Sequence, residues 1–340
     1  MIRVITVDDI KSLIQKVTLE KFFSQLIEKL ETTFSGWNEF EKMPRLVSHV
    51  ENGVVELMPF WGKGYYSVKY INGYSLNPLN NKLTIVGLGI LADIATGYPV
   101  LISEMTLLTA LRTAATSALA SKHLAKSDSK TFALVGTGAQ AEFQVIAHKN
   151  LFNIENIKYF DIDPKALDKF EKNLSSYPFH LERACNIETA IKNADIITTA
   201  TAIQEKTQIL KNDWIQPGTT INAIGGDRAG KTELDPKILE RGKVVVEFLK
   251  QSKEEGEIQN YNHFHVYAEL WELIQKKKSR RTSADEIFIF DSVGFALEDH
   301  TILRLVYSLA EDFQVGHMLD MVPEISDPKN LFGSLFRTCL

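Results

Sequence analysis

An acid and a base four residues apart, Asp227 and Lys231, lie in a glycine-rich stretch, 221–234, that reads INAIGGDRAGKTEL. The β-branched run just before it, TTINAI, suits a buried parallel strand, and in open α/β sheets ligands gather beyond the carboxyl ends of such strands. Asp227 therefore stands where a proton-transferring carboxylate is useful. A second glycine-rich turn, Gly136-Thr137-Gly138-Ala139-Gln140-Ala141, follows the apolar run FALV and precedes helical spacing. In that context the first glycine makes a tight turn, the second admits a pyrophosphate close to backbone, and the phosphate rests on a helix N-terminus. Asp161 closes the next strand-like run, near the spacing of roughly 20 residues at which a carboxylate meets the ribose 2′-hydroxyl of a dinucleotide. A carboxylate there repels a 2′-phosphate, and no arginine follows in Ile162-Asp163-Pro164, so NAD rather than NADP is expected.

Two other patterns compete. Residues 225–232 also satisfy GxxxxGK[ST], and Asp291 could pose as the magnesium-binding end of a strand. A phosphate-binding loop of that type needs a helix to begin at its lysine. Here Asp235-Pro236 reads as the cap and first turn of a helix that starts later, and Asp227 would put a negative charge inside an anion nest. The nucleotide-triphosphatase reading therefore gives way. His263 and His265 alternate without a third ligand nearby, so no metal is expected.

The elements that must position these residues follow from length and periodicity. A chain of 340 residues suits two domains, and 44% apolar with 24% charged residues is ordinary for a soluble globular protein. A net charge of −5 argues against nucleic acid as a partner. The stretch 83–100 is cut by Asp93 and glycines and falls short of a membrane span; the N-terminal region lacks a signal-peptide core. A cytoplasmic protein with reduced Cys185 and Cys339 is expected. From residue 130 on, strands (131–135, 157–162, 196–200, 220–224, 244–248, 287–290) alternate with helices (140–151, 164–174, 187–194). This alternation predicts an α/β doubly wound parallel sheet. Before it, one helix over 13–30 precedes short strands at 45–49, 54–58, 65–71 and 83–91, separated by turns, which predicts an antiparallel sheet. A Leu/Ala-rich helix over 106–125 leads into the second part, and helical spacing returns at 301–312.

Several of these segments together resemble the ornithine cyclodeaminase/mu-crystallin family over nearly the whole chain. The resemblance rests on Pro44-Arg45, ELMP at 56–59, KYING at 69–73, GYPV at 97–100, LRTAA at 111–115, the two glycine loops and FDSVGFALED at 290–299. It is closest to the bacterial ornithine cyclodeaminases. What it implies is a Rossmann domain at 128–297, and a substrate-binding and dimerisation α+β domain built from both chain ends, 1–115 and 300–340. It also implies a homodimer and a cyclising ammonia-lyase that converts L-ornithine to L-proline with NAD, hydride leaving the α-carbon and returning to a cyclic imine. An imine reductase, an amino-acid dehydrogenase, a cyclodeaminase for lysine and a non-catalytic crystallin-like binder are the alternatives.

Carried onto this sequence, the family's site gives Asp227 as general base, with Glu56 as a second proton carrier. Arg45, Lys69 and Arg112 would hold the α-carboxylate, and Val293 would line the substrate pocket. Thr84, Arg112, Gly136, Gly138, Ala139, Gln140, Asp161, Thr201, Lys231 and Ser292 would contact NAD. Arg112 stands alone in an apolar helix, where an unpaired charge is costly to bury and a ligand would resolve the cost. Ser292 also reads as a helix cap. The chain departs from the bacterial cyclodeaminases at Arg228-Ala229, where they often carry Cys-Pro. A cation beside Asp227 favours its ionised form and bears on substrate choice.

Overall fold

The β-branched runs from residue 131 on form an eight-stranded sheet whose strands are all parallel. The structure, a computed structural model, describes residues 1–202, 206–260 and 265–336, so His263 and Cys339 lie outside the described residues. Strand order across the sheet is His180–Arg183, Asn156–Phe160, Thr131–Val135, Ile196–Thr199, Thr220–Ala223, Phe288–Asp291, Lys243–Val246, Ala268–Glu269. The chain winds outward from Thr131–Val135 in one direction, then returns to its other side. The order thus reverses between Thr131–Val135 and Ile196–Thr199, the kind of switch point at which doubly wound sheets bind ligands. Val135, Thr199, Ala223 and Asp291 stand in register, so the segments after them leave the sheet along one edge. Three central strands, Ile196–Thr199, Thr220–Ala223 and Phe288–Asp291, are buried at every position, which is why their sequences show no alternation.

The second eight-stranded sheet has both chain ends at one side. Its order is His317–Leu319, Ile2–Ile5, Pro99–Glu104, Gly87–Asp93, Tyr65–Gly73, Gly53–Gly62, Phe40–Glu41, with Leu46–Val50 also on Gly53–Gly62. All its pairings are antiparallel except that of Ile2–Ile5 with Pro99–Glu104. Alternation along Tyr65–Gly73 turns Ser67, Lys69 and Ile71 inward and Tyr66 and Tyr70 outward. The inner face packs on the helix Ala296–Asp312. The helix Thr106–Leu124 follows the last long strand of this sheet and packs on Thr220–Ala223 and Phe288–Asp291 of the other. Its Leu/Ala surface is buried almost all round, as a helix between two bodies of the chain must be. Among the described residues no helix is long and apolar enough to cross a membrane.

Three expectations need correction. The helix over 13–30 is two helices, Val7–Val17 and Leu19–Ser35, joined at Thr18 in the left-handed region, φ 72°, whose hydroxyl caps the second. The apolar face moves by about half a turn across that joint, from Ile10, Leu13 and Val17 to Phe22, Phe23, Leu26, Ile27 and Leu30, a break in periodicity that a single helix over 13–30 passes over. The last helix begins at Ala296 rather than Thr301, because Glu298 accepts a hydrogen bond from the backbone N–H of Phe295 and closes its first turn. Its N-cap is Phe295, so Ser292 is not a helix cap. A two-stranded parallel pair, Lys206–Leu210 with Thr232–Leu234, has no counterpart in the sequence reading. A strand after Lys231, with the helix Pro236–Arg241 capped by Asp235 only later, is incompatible with a phosphate-binding loop of the GxxxxGK[ST] type.

Candidate active site

The inner face of the antiparallel sheet, the helix Thr106–Leu124 and the loops at the carboxyl edge of the parallel sheet enclose a cavity of about 210 Å³. From the antiparallel sheet and its flanks come Arg45, Glu56, Lys69 and Thr84; the helix contributes Arg112. Gln140, Asp227, Arg228, Lys231, Ser292 and Val293 enter from the loops of the parallel sheet. Residues predicted from distant parts of the chain are thus brought to one wall-to-wall space.

Its cations are buried and held by acids of the chain itself. Arg45 donates from Nη1 to Glu56 Oε2 at 2.9 Å, and from Nη2 to the carbonyls of Val293 and Gly294, each at 2.6 Å. Lys69 donates to Asp299 Oδ1 at 2.8 Å, and Arg112 donates to the same oxygen at 3.1 Å and to Glu298 Oε2 at 2.8 Å. The cost of burying the Arg112 charge is thus met within the chain, by Glu298 and Asp299, and does not require the ligand that the sequence reading invoked for it. Gly294, at φ +75°, lets this happen, since a Cβ there would lie 2.6 Å from Arg112 Nη1. Burial pushes the Lys69 ammonium down to about 8; Asp299 opposes the fall, and Arg112 and Arg45 deepen it. Burial likewise pushes the Glu298 carboxyl up to about 8 against the pull of Arg112.

Asp227 is less enclosed. Its side chain is 48% exposed and pairs with Lys231 Nζ at 3.3 Å, while Lys231 also donates to the Thr201 carbonyl at 3.0 Å. Arg228 lines the cavity beside it, its carbonyl accepting from Lys231 N and Gln259 Nε2. Behind the loops runs a set of buried acids, of which the sequence reading weighed only Asp291, as the end of a magnesium-binding strand. Glu233 accepts from Thr201 N and Oγ1, and Glu257 accepts from the backbone of Glu233 and Leu234. Asp291 in turn accepts from Glu257 N and Ile258 N. Glu247 accepts from Ser292 Oγ at 2.5 Å and from Val293 N and Gly294 N, fixing the segment that faces Arg45. Nothing local distinguishes these acids from surface ones; their only signal is their place next to strand ends.

Gly136, Gly138, Ala139, Asp161 and Thr201 lie outside this cavity, along the crevice at the switch point. Gly136 takes φ +97°, and a Cβ there would come within 2.6 Å of the Ala200 carbonyl oxygen, so the loop needs glycine to pass the neighbouring strand end. Asp161 Oδ2 accepts from Thr137 N at 2.6 Å and Thr137 Oγ1 at 3.1 Å, which ties the acid to the glycine turn. Gln140 Oε1 is buried with no hydrogen-bond partner, an orphaned acceptor where crevice and cavity meet.

The sequence profile of the ornithine cyclodeaminase/mu-crystallin family matches residues 7–314. The chain belongs to this family. An ornithine cyclodeaminase of Agrobacterium fabrum (strain C58) is 44% identical over 333 residues, 98% of this chain and 94% of that protein. Among solved structures, an archaeal alanine dehydrogenase dimer with bound NAD is 32% identical, with a TM-score of 0.86, covering 94% of this chain and 99% of that one. A lysine cyclodeaminase, solved for its recognition of L-lysine, L-ornithine and L-2,4-diaminobutyric acid, is 28% identical with a TM-score of 0.92, covering 97% and 98%. Members of the ornithine cyclodeaminase/mu-crystallin family thus share this chain's fold across both of its sheets.

Proposed function

We propose that the protein is an NAD-dependent ornithine cyclodeaminase, converting L-ornithine to L-proline and ammonia. The observation that carries this reading is the sharing of one cavity by three buried cations, Arg45, Lys69 and Arg112, and the half-exposed carboxylate of Asp227. The near-full-length similarity to an ornithine cyclodeaminase supports it.

An amino acid's α-carboxylate finds donors there that the chain does not use. With one N–H of Arg45 Nη1 given to Glu56, the other remains; Lys69 keeps two of its three; Arg112 keeps Nη2. Guanidinium groups suit such bidentate contact, and their internal acids hold them ready for it. At the other end of the substrate, a δ-ammonium has a lysine-like pKa of about 10.4, so freeing its lone pair near neutrality costs roughly 4–5 kcal/mol. Asp227 can take that proton on Oδ2, the oxygen not engaged by Lys231, and return one to the departing α-amino group. Glu56, tied to Arg45 through Oε2, stands by as the second carrier. Holding both substrate ends in one cavity favours closure of the ring, since effective molarities on the order of 10⁵ M follow from fixed geometry.

The crevice fits the cofactor. Gly136 opens the turn, Gly138 has nothing within 4 Å of its missing Cβ, Gln140 offers an unpartnered oxygen, and Asp161 suits a free ribose 2′-hydroxyl. Thr84, Ala139, Thr201, Lys231 and Ser292 complete the residues we assign to NAD, and Val293 lines the substrate pocket. When bound, NAD supplies the redox chemistry, taking a hydride from the substrate's α-carbon and giving it back.

We also infer a homodimer through the outer face of the antiparallel sheet. Leu57, Tyr70 and Leu88 stand side by side across three strands and are exposed, an apolar row of the kind that marks interaction surfaces. Residues 1–115 and 300–340 would then form the substrate-binding and dimerisation domain, and 128–297 the cofactor domain. Light scattering on the purified protein should give twice the chain mass, and a monomer would refute this.

Incubation with NAD and a panel of diamino acids tests the reaction. Ammonia and proline in equal amounts, with almost no NADH, are expected from ornithine. A second reading, an amino-acid dehydrogenase, draws on the similarity to the archaeal alanine dehydrogenase. It requires NADH to accumulate in step with product, and that result would replace the first reading.

A further inference from the structure

Arg45 is faced by a second acid besides Glu56. Glu255, in the loop after the helix Leu249–Ser252, brings Oε2 to 3.5 Å from Arg45 Nε, both side chains being more than nine-tenths buried. Neither of these two atoms has a hydrogen-bond partner. Opposite charges orphaned at that separation are one small shift from a charge-assisted hydrogen bond, and leaving them apart in a buried place is unfavourable. The contact is not fortuitous, because both groups are anchored. Arg45 N donates to Gln251 Oε1 and Gln251 Nε2 to the Gly294 carbonyl, while Glu257 N, two residues beyond Glu255, donates to Asp291. Glu56 occupies Nη1 and the Val293 and Gly294 carbonyls occupy Nη2, so Nε is the one edge of the guanidinium left for Glu255.

We propose that Glu255 is a positioning residue for substrate binding: its carboxylate fixes the Nε edge of Arg45, so that the remaining Nη1 hydrogen is presented to the substrate's α-carboxylate. The proposal deepens the cyclodeaminase reading and rests on it. The groups facing Glu255 are Arg45, Glu56, Asp227 and, on its own loop, Glu254. Burial pushes its carboxyl up to about 7; Arg45 opposes the rise, and Glu56, Asp227 and Glu254 add to it. Below that pH Glu255 is neutral and Arg45 loses its second tether; above it the tether forms.

The test is steady-state ammonia release from L-ornithine at saturating NAD, between pH 6 and 9, for wild type, Glu255→Gln and Glu255→Asp. In the wild type kcat/KM is expected to rise with pH up to about 7, before the separate fall above 8 that the Lys69 ammonium imposes. In Glu255→Gln that inflection should vanish, with KM at pH 8 raised about tenfold and kcat changed less than about threefold. Glu255→Asp, which keeps the charge, should hold KM within about threefold of the wild type. An unchanged inflection in Glu255→Gln, a loss confined to kcat, or equal damage in both variants would each overturn the proposal alone. Absence of ammonia from the wild type would instead overturn the cyclodeaminase reading and this proposal with it.

Discussion

Replacing Asp227 by asparagine is expected to abolish most of the turnover while leaving the fold intact. The structural side follows from exposure: the side chain is 48% exposed and its ion pair is the one with Lys231. An ion pair that open to solvent contributes about 0–1 kcal/mol, so the melting temperature should fall by less than about 4 °C. The catalytic side follows from the δ-ammonium. Removing a positioned general base typically costs 10²–10⁴-fold, or about 2.7–5.4 kcal/mol of barrier. The variant's remaining activity depends on substrate molecules already deprotonated in solution, so kcat/KM should climb about tenfold per pH unit up to about 8, where loss of the Lys69 charge flattens it, a limb the wild type lacks. Ammonia release across that pH range, with NAD affinity measured separately by fluorescence titration, reads both effects. Full turnover in Asp227→Asn would refute the assignment, and so would a loss explained by weaker NAD binding.

Asp299 is the hub of the buried cluster, accepting from both Lys69 and Arg112. Asp299→Ala should destabilise the protein by about 3–5 kcal/mol in urea unfolding, because it strands the buried Lys69 and takes from Arg112 one of its two acids; a loss under about 1 kcal/mol would show the cluster to be dispensable. Lys69 gives a pH limb of its own. With its ammonium pushed down to about 8, it loses its charge as pH rises through that value. kcat/KM for ornithine should therefore fall above pH 8, and Lys69→Met should lose that limb while raising KM; persistence of the limb would assign it elsewhere. Asp161→Ser should raise KM for NAD by about 10- to 100-fold, the range expected for a charge-assisted hydrogen bond, and narrow the preference over NADP. A wild type that already prefers NADP would overturn the reading of Asp161.

What was legible in the sequence was local. The turn from Gly136 to Ala141 declares itself because strand, glycines and helix are contiguous, and Asp161 because strand spacing in a parallel sheet is regular. Lys231 and Asp227 are adjacent enough that one loop delivers both. The expected helix over 13–30 failed although its signal was also local: the apolar face moves by about half a turn at Thr18, the left-handed residue between the two helices. The acids Glu233, Glu247, Glu255 and Glu257 were invisible because each serves a backbone or side chain brought to it only by the winding of the parallel sheet.

Arg112 shows what the sequence held without its being used. One cation in an apolar helix and two acids, Glu298 and Asp299, at the start of another apolar helix are each anomalous for a buried surface. Taken singly, the first suggests a ligand and the second a solvent-facing turn. Taken together they answer one another: the protein's buried charge at Arg112 is matched by buried charge 186 and 187 residues further on. The same compensation lets Lys69 sit inward on its strand, sharing an oxygen of Asp299 with Arg112. Cations held this way stay buried at the cavity wall while retaining unused donors. A site meant to grip a carboxylate needs that property, since free guanidinium and ammonium groups would collapse onto the nearest acid in the absence of substrate. The internal acids are thus part of the binding apparatus: they fix the donors' direction before any ligand arrives.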